Sequence, residues 1–471
     1  MQYEEFLKRK EVRVQSCGFD VPADALNPSA FVWQRHIDSW ALKKGRAALF
    51  EDCGLGKTLQ QLIWADKVHE LTGGPVMILS PLAVAPQTKQ EGIKFGIDVN
   101  ICERQVDVRN GVNITNYEKI EKFDMSVFSG VVLDESSILK SYMGKTKRLI
   151  CDRFKNVPYK LACTATPAPN DLMELLNHAE FLGIMNSNEA LSVWFIADQR
   201  NAGHYRLKKH AERDFWRWVS SWAVCISKPS DIGYSDEGYI LPQLNEQDVI
   251  VDIASDGSLL DDLTRNVNMS ATGYTKERRR TLKQRCEKTV EIANGTNEQF
   301  VIWCGMNDEA DELKQLLPDA VEIRGNDKTE RKEQAAMAFI NGDIRILISK
   351  PSIFGYGLNF QNCHNSVFCG MDYSFENYYQ AVRRFYRFGQ QNEVNVWRVL
   401  GSTEQKILET VNAKAQLKND MGVSMAQAMK EFQTSESKAF KLDLTKKTYD
   451  VPEWLKGGND GTGNNRQICA V

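Results

Sequence analysis

Phe50-Glu51-Asp52-Cys53-Gly54-Leu55-Gly56-Lys57-Thr58 follows an apolar run, Ala47–Phe50, and precedes a helical pattern from Leu59 to Leu71. This strand–loop–helix context decides the fold. A phosphate group needs several inward-pointing backbone N–H groups, a helix N-terminus and a cation over its outer oxygens. Gly54 and Gly56 let the backbone curl, and Leu55 lies between them. Lys57 has the reach for the β and γ phosphates, and the Thr58 hydroxyl suits a Mg²⁺ ion. Glu51 stands where the strict Gly-x-x-x-x-Gly-Lys-Ser/Thr pattern has its first glycine. The competing reading is a glycine turn with a chance Gly-Lys-Thr, and the strand before and helix after it speak against that.

Working outward, the same grammar recurs. Val76–Leu79, Ile114–Asn116, Val131–Leu133 and Leu161–Thr164 are short apolar runs separated by amphipathic stretches. A second block repeats it with Phe300–Cys304, Val321–Arg324, Ile344–Ser349, Ser366–Cys369 and Val394–Val399. Continuous apolar runs alternating with helices predict parallel sheets with crossover helices. The expected fold class is therefore α/β, in two lobes of about 200 residues each. The boundaries expected are 1–245 for the N-terminal lobe with a small helical appendage near 190–230, 246–440 for the C-terminal lobe, and 441–471 for an extension with a flexible tail. That tail, Gly457–Asn465, holds four Gly and three Asn. Glu404 to Phe440 has a helical pattern. Trp216, Trp218 and Trp222 form a cluster that burial preference assigns to core rather than to base stacking.

Val131-Val132-Leu133-Asp134-Glu135 is a buried strand ending in two acids. A carboxylate at a strand's carboxyl end beside a phosphate loop can hold Mg²⁺, and its neighbour can orient and deprotonate a water. A solvated turn would read the same way in isolation; the phosphate loop favours the chemical role. In the second block, Arg384 and Arg387 are expected on one helical face. Two guanidinium groups suit charge spread over phosphoryl oxygens. A lone R-x-x-R would be read as a solvated face, but Gln380 and Gly389-Gln390 flank this one.

Composition sets outer limits. With 59 basic and 62 acidic residues in 471, the net charge is −3. No coat of basic charge exists, yet a local nucleic-acid groove remains open. Hydrophobic residues at 42% and charged residues at 26% exclude a disordered or collagen-like chain. The eleven cysteines form no C-x-x-C pair and fit reduced thiols in a cytosol. No run of about 18 apolar residues reads as a membrane span. The stretch Thr275–Val290 carries seven basic and two acidic residues and reads as a basic helix. With Lys208, Lys209 and Arg213 it is a candidate for phosphate-backbone contact, the alternative being a solvated charged face.

In their order, these motifs resemble the superfamily-two helicase-type ATPases and, within them, the Swi/Snf-type DNA translocases. Gln34, in Phe31-Val32-Trp33-Gln34-Arg35, matches the glutamine that reads adenine. Glu51 through Gln60 is similar to the family's acidic-x-Gly-Leu-Gly-Lys-Thr-x-Gln loop, which accounts for the missing first glycine. Pro81 and Gln87 fall where the family contacts the DNA backbone. Asp134-Glu135 fits the Mg²⁺ and water-activating pair. Thr164-Ala165-Thr166-Pro167, followed by Asn170, Leu172 and Glu174-Leu175, looks like the coupling motif. In the second lobe, Gly355, Gly357-Leu358-Asn359 and Phe360 resemble the loop that touches DNA and links it to nucleotide. Gln380-Ala381 through Arg384, Arg387 and Gly389-Gln390 matches the Gln-Ala-x-x-Arg-x-x-Arg-x-Gly-Gln element.

The resemblance spans about Pro28 to Lys418. It implies two RecA-like lobes, each a parallel sheet flanked by helices, with ATP in the inter-lobe cleft. It implies ATP and Mg²⁺ (on Thr58 and Asp134) as the nucleotide and metal. It implies duplex DNA, bound without sequence preference, as the partner, with a loading protein that the sequence does not name. The implied activity is DNA-stimulated ATP hydrolysis driving translocation. A strand-separating DNA or RNA helicase is the alternative within that superfamily, and a non-hydrolysing nucleic-acid scaffold the alternative outside it. No histone reader, zinc module or nuclease motif is visible, and the compact motor suggests the cytoplasm of a bacterium or a phage-infected cell. Two departures stand out. Ser136-Ser137 follows the acid pair where the family has a small residue and His. The stretch Asp372–Tyr379 is shorter than the family's and lacks its Trp and Pro.

Overall fold

The structure is a computed structural model, and it describes residues 16–81, 84–142, 144–198, 205–237, 239–251, 278–354 and 359–435. Two compact units are present. Within the described residues, the first ends at Asp236 and resumes at Leu417, and the second runs from Glu237 to Gln416.

In the first unit the strands are β1 (Arg46–Glu51), β2 (Val76–Ser80), β3 (Val99–Ile101), β4 (Val112–Asn116), β5 (Gly130–Asp134), β6 (Tyr159–Cys163), β7 (Phe195–Ala197), β8 (Tyr205–Leu207) and β9 (Ala223–Ile226). Among the described residues, β7 and β8 form an antiparallel pair and the other seven one sheet, in the order β3-β4-β2-β5-β6-β1-β9. Every pairing in that sheet is parallel. Both faces are covered, as a parallel sheet requires. On one side Phe50, Met77, Leu79, Val131 and Leu133 pack with Leu175, Phe181, Trp218 and Trp222. The alternate residues Ala47, Leu49, Ile78, Val132 and Leu161 are equally buried, and the helix Lys57–Thr72 packs against β2, β4, β5 and β6. Trp216, Trp218 and Trp222 are buried, as their composition suggested.

The second unit holds β10 (Leu244–Val251), β11 (Phe300–Cys304), β12 (Val321–Glu322), β13 (Ile346–Ser349), β14 (Asn365–Cys369) and β15 (Val394–Gly401). They form a parallel sheet, β10-β15-β14-β11-β13-β12. Alternate residues of β11 divide its two faces. Val301 and Trp303 pack with Phe339, Phe360 and Phe385, whereas Phe300 and Ile302 pack with Cys286, Leu313 and Leu317. The expected α/β class, two parallel sheets flanked by helices, is thus observed. The C-terminal helix runs Gln405–Ser435; Ile407 and Val411 belong to the second unit's core, and Met421, Met425 and Ala428 to the first's. Among the described residues no helix is long and apolar enough to cross a membrane.

Residues 275–277 of the basic stretch Thr275–Val290 lie outside the described residues, and the part from Arg278 onward does something other than face solvent throughout. Its helix runs Leu282–Asn294. Arg285 is fully buried and donates to Glu309 Oε1 at 2.7 Å, to the Cys369 carbonyl at 3.0 Å and to the Arg278 carbonyl at 2.7 Å. Arg278, nearly buried, donates to the same Glu309 oxygen at 2.9 Å. Glu309 also accepts the N–H groups of Gly305 and Met306, and Glu404 that of Gly401. These two arginines therefore face carboxylates, not a nucleic-acid backbone. Removing one member of such a network leaves a buried charge uncompensated. Arg285→Met should lower unfolding stability by about 3 kcal/mol, while Lys288→Ala, on the exposed side of the same helix, should leave it nearly unchanged. Urea unfolding of both variants checks this, and equal midpoints would contradict it.

Candidate nucleotide site

β1 carries the chain into the phosphate loop with Glu51 fully buried. Gly54 and Gly56 take left-handed backbone, with φ of +89° and +80°. The helix Lys57–Thr72 starts immediately after. The N–H groups of its first two residues lie at the positive end of the helix dipole, while the Leu59 N–H already bonds the Gly56 carbonyl at 3.0 Å. A side chain at Gly56 would be strained by its φ, and its Cβ would lie 2.4 Å from Gln34 Nε2. Gln34 is what closes on the loop there. Its Nε2 donates to the Leu55 carbonyl at 2.8 Å, and its Oε1 accepts the Phe31 N–H at 2.9 Å. Lys57 Nζ lies between the carbonyls of Glu51 and Asp52, at 2.7 and 3.0 Å. Thr58, one residue into the helix, is half-buried.

The acid pair emerges two strands away. Asp134 ends β5, and its Oδ1 accepts from Gln61 Nε2 at 2.7 Å. Its carbonyl accepts from the Tyr117 hydroxyl at 2.7 Å. Glu135 follows with φ +53°, among the described residues the one non-glycine residue with positive φ. Between the two lies the end of β6. Thr164 Oγ1 donates to Glu135 Oε2 at 3.3 Å and accepts the Thr166 N–H at 3.1 Å. The loop from Gly54 to Thr58, with Gln34, Asp134, Glu135, Thr164 and Thr166, is therefore gathered at one edge of one sheet. Pro81 directly follows β2, and Gln87 is exposed on the helix Ala85–Phe95. Gln61 and Tyr117, which hold Asp134, had no signal in the sequence beyond lying in a helix and after a strand. Lys418 Nζ, 3.7 Å from Asp52 Oδ1, had none either.

In the second unit Gln380 is buried near the end of the helix Phe375–Val382. Arg384 Nε donates to the Gln380 carbonyl at 3.2 Å and Nη2 to Gln380 Oε1 at 3.0 Å. The expected helical face shared by Arg384 and Arg387 is not formed. The helix ends at Val382 and both arginines lie in the turns beyond it. Tertiary donors take the carbonyls a continuing helix would use: the Phe360 N–H bonds Arg384 O at 2.9 Å, and Gln390 Nε2 bonds Phe385 O at 3.1 Å. Asn359 is exposed and bonded to Gln361. Gly355 and Gly357 lie outside the described residues.

The donor set fits a nucleotide with Mg²⁺. The curled glycines and helix start suit phosphate oxygens, Lys57 suits their charge, and Thr58 with Asp134 offers hard oxygens. Mg²⁺ keeps several waters and needs only one or two protein ligands.

A sequence profile for the helicase conserved C-terminal domain matches residues 277–389. The transcription regulatory protein SNF2 of Saccharomyces cerevisiae is 22% identical over 441 residues, covering 78% of this chain and 26% of that protein. The ATP-dependent helicase brm of Drosophila melanogaster is 21% identical over 458 residues, 81% of this chain and 28% of its own. The TATA-binding protein-associated factor mot1 of Schizosaccharomyces pombe is 31% identical over 128 residues, 25% of this chain and 7% of its own. This chain spans about a quarter to a third of the length of the first two relatives. Among solved structures, the SWI2/SNF2 ATPase core of Sulfolobus solfataricus in complex with dsDNA aligns with a TM-score of 0.42 at 18% identity, covering 88% of this chain and 98% of that one. The helicase C-terminal match lies within the second parallel-sheet unit. Over most of its length the chain is similar to these Swi/Snf-type proteins.

Burial pushes the Glu51 carboxyl up to about 7, against the pull of Lys57 and the Gln60 hydrogen bond. Its usual value is 4.5. Between these values the folded protein keeps a proton that the unfolded chain releases, so stability from this group is lost as pH rises through about 7. The slope is at most about 1.4 kcal/mol per pH unit. Glu51→Gln removes it. The variant should gain stability relative to wild type as pH goes from about 5 to about 7, read by urea unfolding at several pH values. A difference that stays constant with pH would contradict this.

Proposed function

We propose that the chain hydrolyses ATP in a DNA-stimulated manner and uses the turnover to move along duplex DNA. The observation that carries this reading is the meeting of the phosphate loop, the Asp134-Glu135 pair and Thr164 at one sheet edge, with Thr164 bonded to Glu135. In this reading Gln34 recognises adenine and the loop from Gly54 to Thr58 with Lys57 holds the phosphates. Thr58 and Asp134 would hold Mg²⁺, whose charge would offset that of the phosphate oxygens. Glu135 accepts the proton of the attacking water. Arg384 and Arg387, with Gln380, Gly355, Gly357 and Asn359, act on the nucleotide and its coupling to the track. Pro81, Gln87 and Thr166 serve that coupling from the first unit.

Kinship with proteins named as an ATP-dependent helicase and a transcription regulator supports DNA as the partner. Contacts to a duplex backbone are mainly to phosphates, so binding carries little sequence preference and weakens steeply with salt.

Steady-state ATP turnover tests the proposal. Lys57→Ala, which removes the cation from the phosphates, and Glu135→Gln, which removes the general base, should each cost at least about 100-fold in kcat. Arg384→Ala should cost about 1000-fold if its guanidinium stabilises the transferring group. Duplex DNA should raise the wild-type rate above that with single-stranded DNA or RNA. Equal rates with and without DNA would sink the translocase reading, and stronger stimulation by a single strand would favour a strand-separating helicase.

A further inference from the structure

The turn at Glu135 needs holding. A non-glycine residue at φ +53° is in a left-handed backbone that costs on the order of 1 kcal/mol or more. Ser136, the next residue, is fully buried. Its Oγ lies 3.1 Å from Nε2 of His178, itself fully buried on the helix Glu174–Leu182. The other ring nitrogen, Nδ1, lies 3.2 Å from the Glu174 carbonyl. A carbonyl only accepts, so Nδ1 carries the proton. Nε2 is then the acceptor and the Ser136 hydroxyl donates to it.

Two further contacts fix this arrangement. Phe50, the residue before Glu51, meets the imidazole edge-on with centroids 5.1 Å apart. Asn177 Nδ2 donates to the Leu139 carbonyl at 2.8 Å, tying the same helix to the segment after the acid pair. Burial holds the His178 pKa down to about 4, which keeps the ring neutral and able to accept.

The sequence has Ser136-Ser137 where the family it resembles has a small residue and His after the acids. The structure brings an imidazole to that turn by another route, from a helix that follows Thr164–Pro167. We propose that His178 is a positioning residue for Glu135, holding through Ser136 the turn that aims the carboxylate. It thereby links the acid pair to the helix after the coupling motif. This inference rests on the reading of Glu135 as the water-activating acid.

The test uses the full chain, with Ser136→Ala, His178→Leu, the double variant and His178→Gln. Ser136→Ala and His178→Leu should each lower kcat for ATP by roughly ten- to a hundredfold, the size expected when a catalytic group is misaimed. The KM for ATP and the affinity for a fluorescent ATP analogue should stay within about twofold, because the phosphate loop is untouched. The double variant should be no worse than the worse single, as for two residues acting through one bond. His178→Gln, whose amide oxygen can accept from Ser136, should recover part of the rate. Should His178→Leu fail to fold, Ser136→Ala alone decides. A Ser136→Ala protein with wild-type kcat, or losses that multiply in the double variant, overturns the proposal while leaving the hydrolysis reading intact. A wild-type protein without ATP turnover overturns both.

Discussion

The arrangement at the candidate site depends on one topological fact: β6 lies between β1 and β5, and all three run the same way. Parallel neighbours are about 4.8 Å apart and end on the same side. The register pairs Leu49 and Asp134 with the same residue, Cys163. The phosphate loop, Thr164 and the acid pair must therefore leave the sheet side by side. Thr164 is fixed further by its own N–H, which bonds the Leu49 carbonyl at 3.1 Å. Its hydroxyl then reaches Glu135 with no loop of its own to order. Chemistry that needs residues more than 100 positions apart in sequence is built from backbone ladders rather than from side-chain search.

The two units handle buried charge by opposite means. In the first, Glu51 and Asp38 sit inside the core beneath the phosphate loop, and burial raises both carboxyls. Part of that cost is met by neutralisation: a carboxyl near 7 is substantially protonated at neutral pH, and Gln60 Nε2 donates to Glu51 at 2.6 Å. In the second unit, Arg278 and Arg285 are instead paired with Glu309 and Glu404. Both solutions consume charged residues without showing them to solvent. A net charge of −3 counts all of them equally, which is why it carries so little information about any one surface.

Legibility from sequence followed burial. Strands buried on both faces read as apolar runs, and β1, β2, β4, β5, β6, β11, β13, β14 and β15 all begin or end within two residues of the expected stretch. Five strands escaped: β7 and β8 fall in the stretch near 190–230 expected as a helical appendage, and three others escaped for reasons of their own. β10, Leu244–Val251, pairs with β15 alone, sits at the sheet edge and carries Asn245, Glu246, Gln247 and Asp248, so its composition is that of a loop. β3 is three residues long and also an edge. β9 directly follows the Trp cluster and falls within the stretch near 190–230 expected as a helical appendage. Likewise, the residues recognisable in the candidate site are those whose chemistry is local, such as Gly56-Lys57-Thr58. Gln61, Tyr117 and His178 act through partners far along the chain, and nothing in the residues beside them marks that.

Glu135 illustrates why such partners matter. Its strained turn is braced from three directions: Thr164 on the carboxylate, Tyr117 on the preceding carbonyl and His178 on the following serine. Each brace comes from a different element, the end of β6, the segment after β4 and the helix Glu174–Leu182. A residue in a sparsely populated backbone region persists only while its surroundings over-determine it. Rearrangement of any of these three elements would therefore bear on the orientation of Glu135 directly. The coupling motif's threonine and the helix after it are two of the three, so a change transmitted along Thr164–Leu182 meets the acid at both its side chain and its backbone. Under the proposed function, that is a physical route by which events at the proposed coupling motif govern proton transfer to Glu135 without touching the nucleotide.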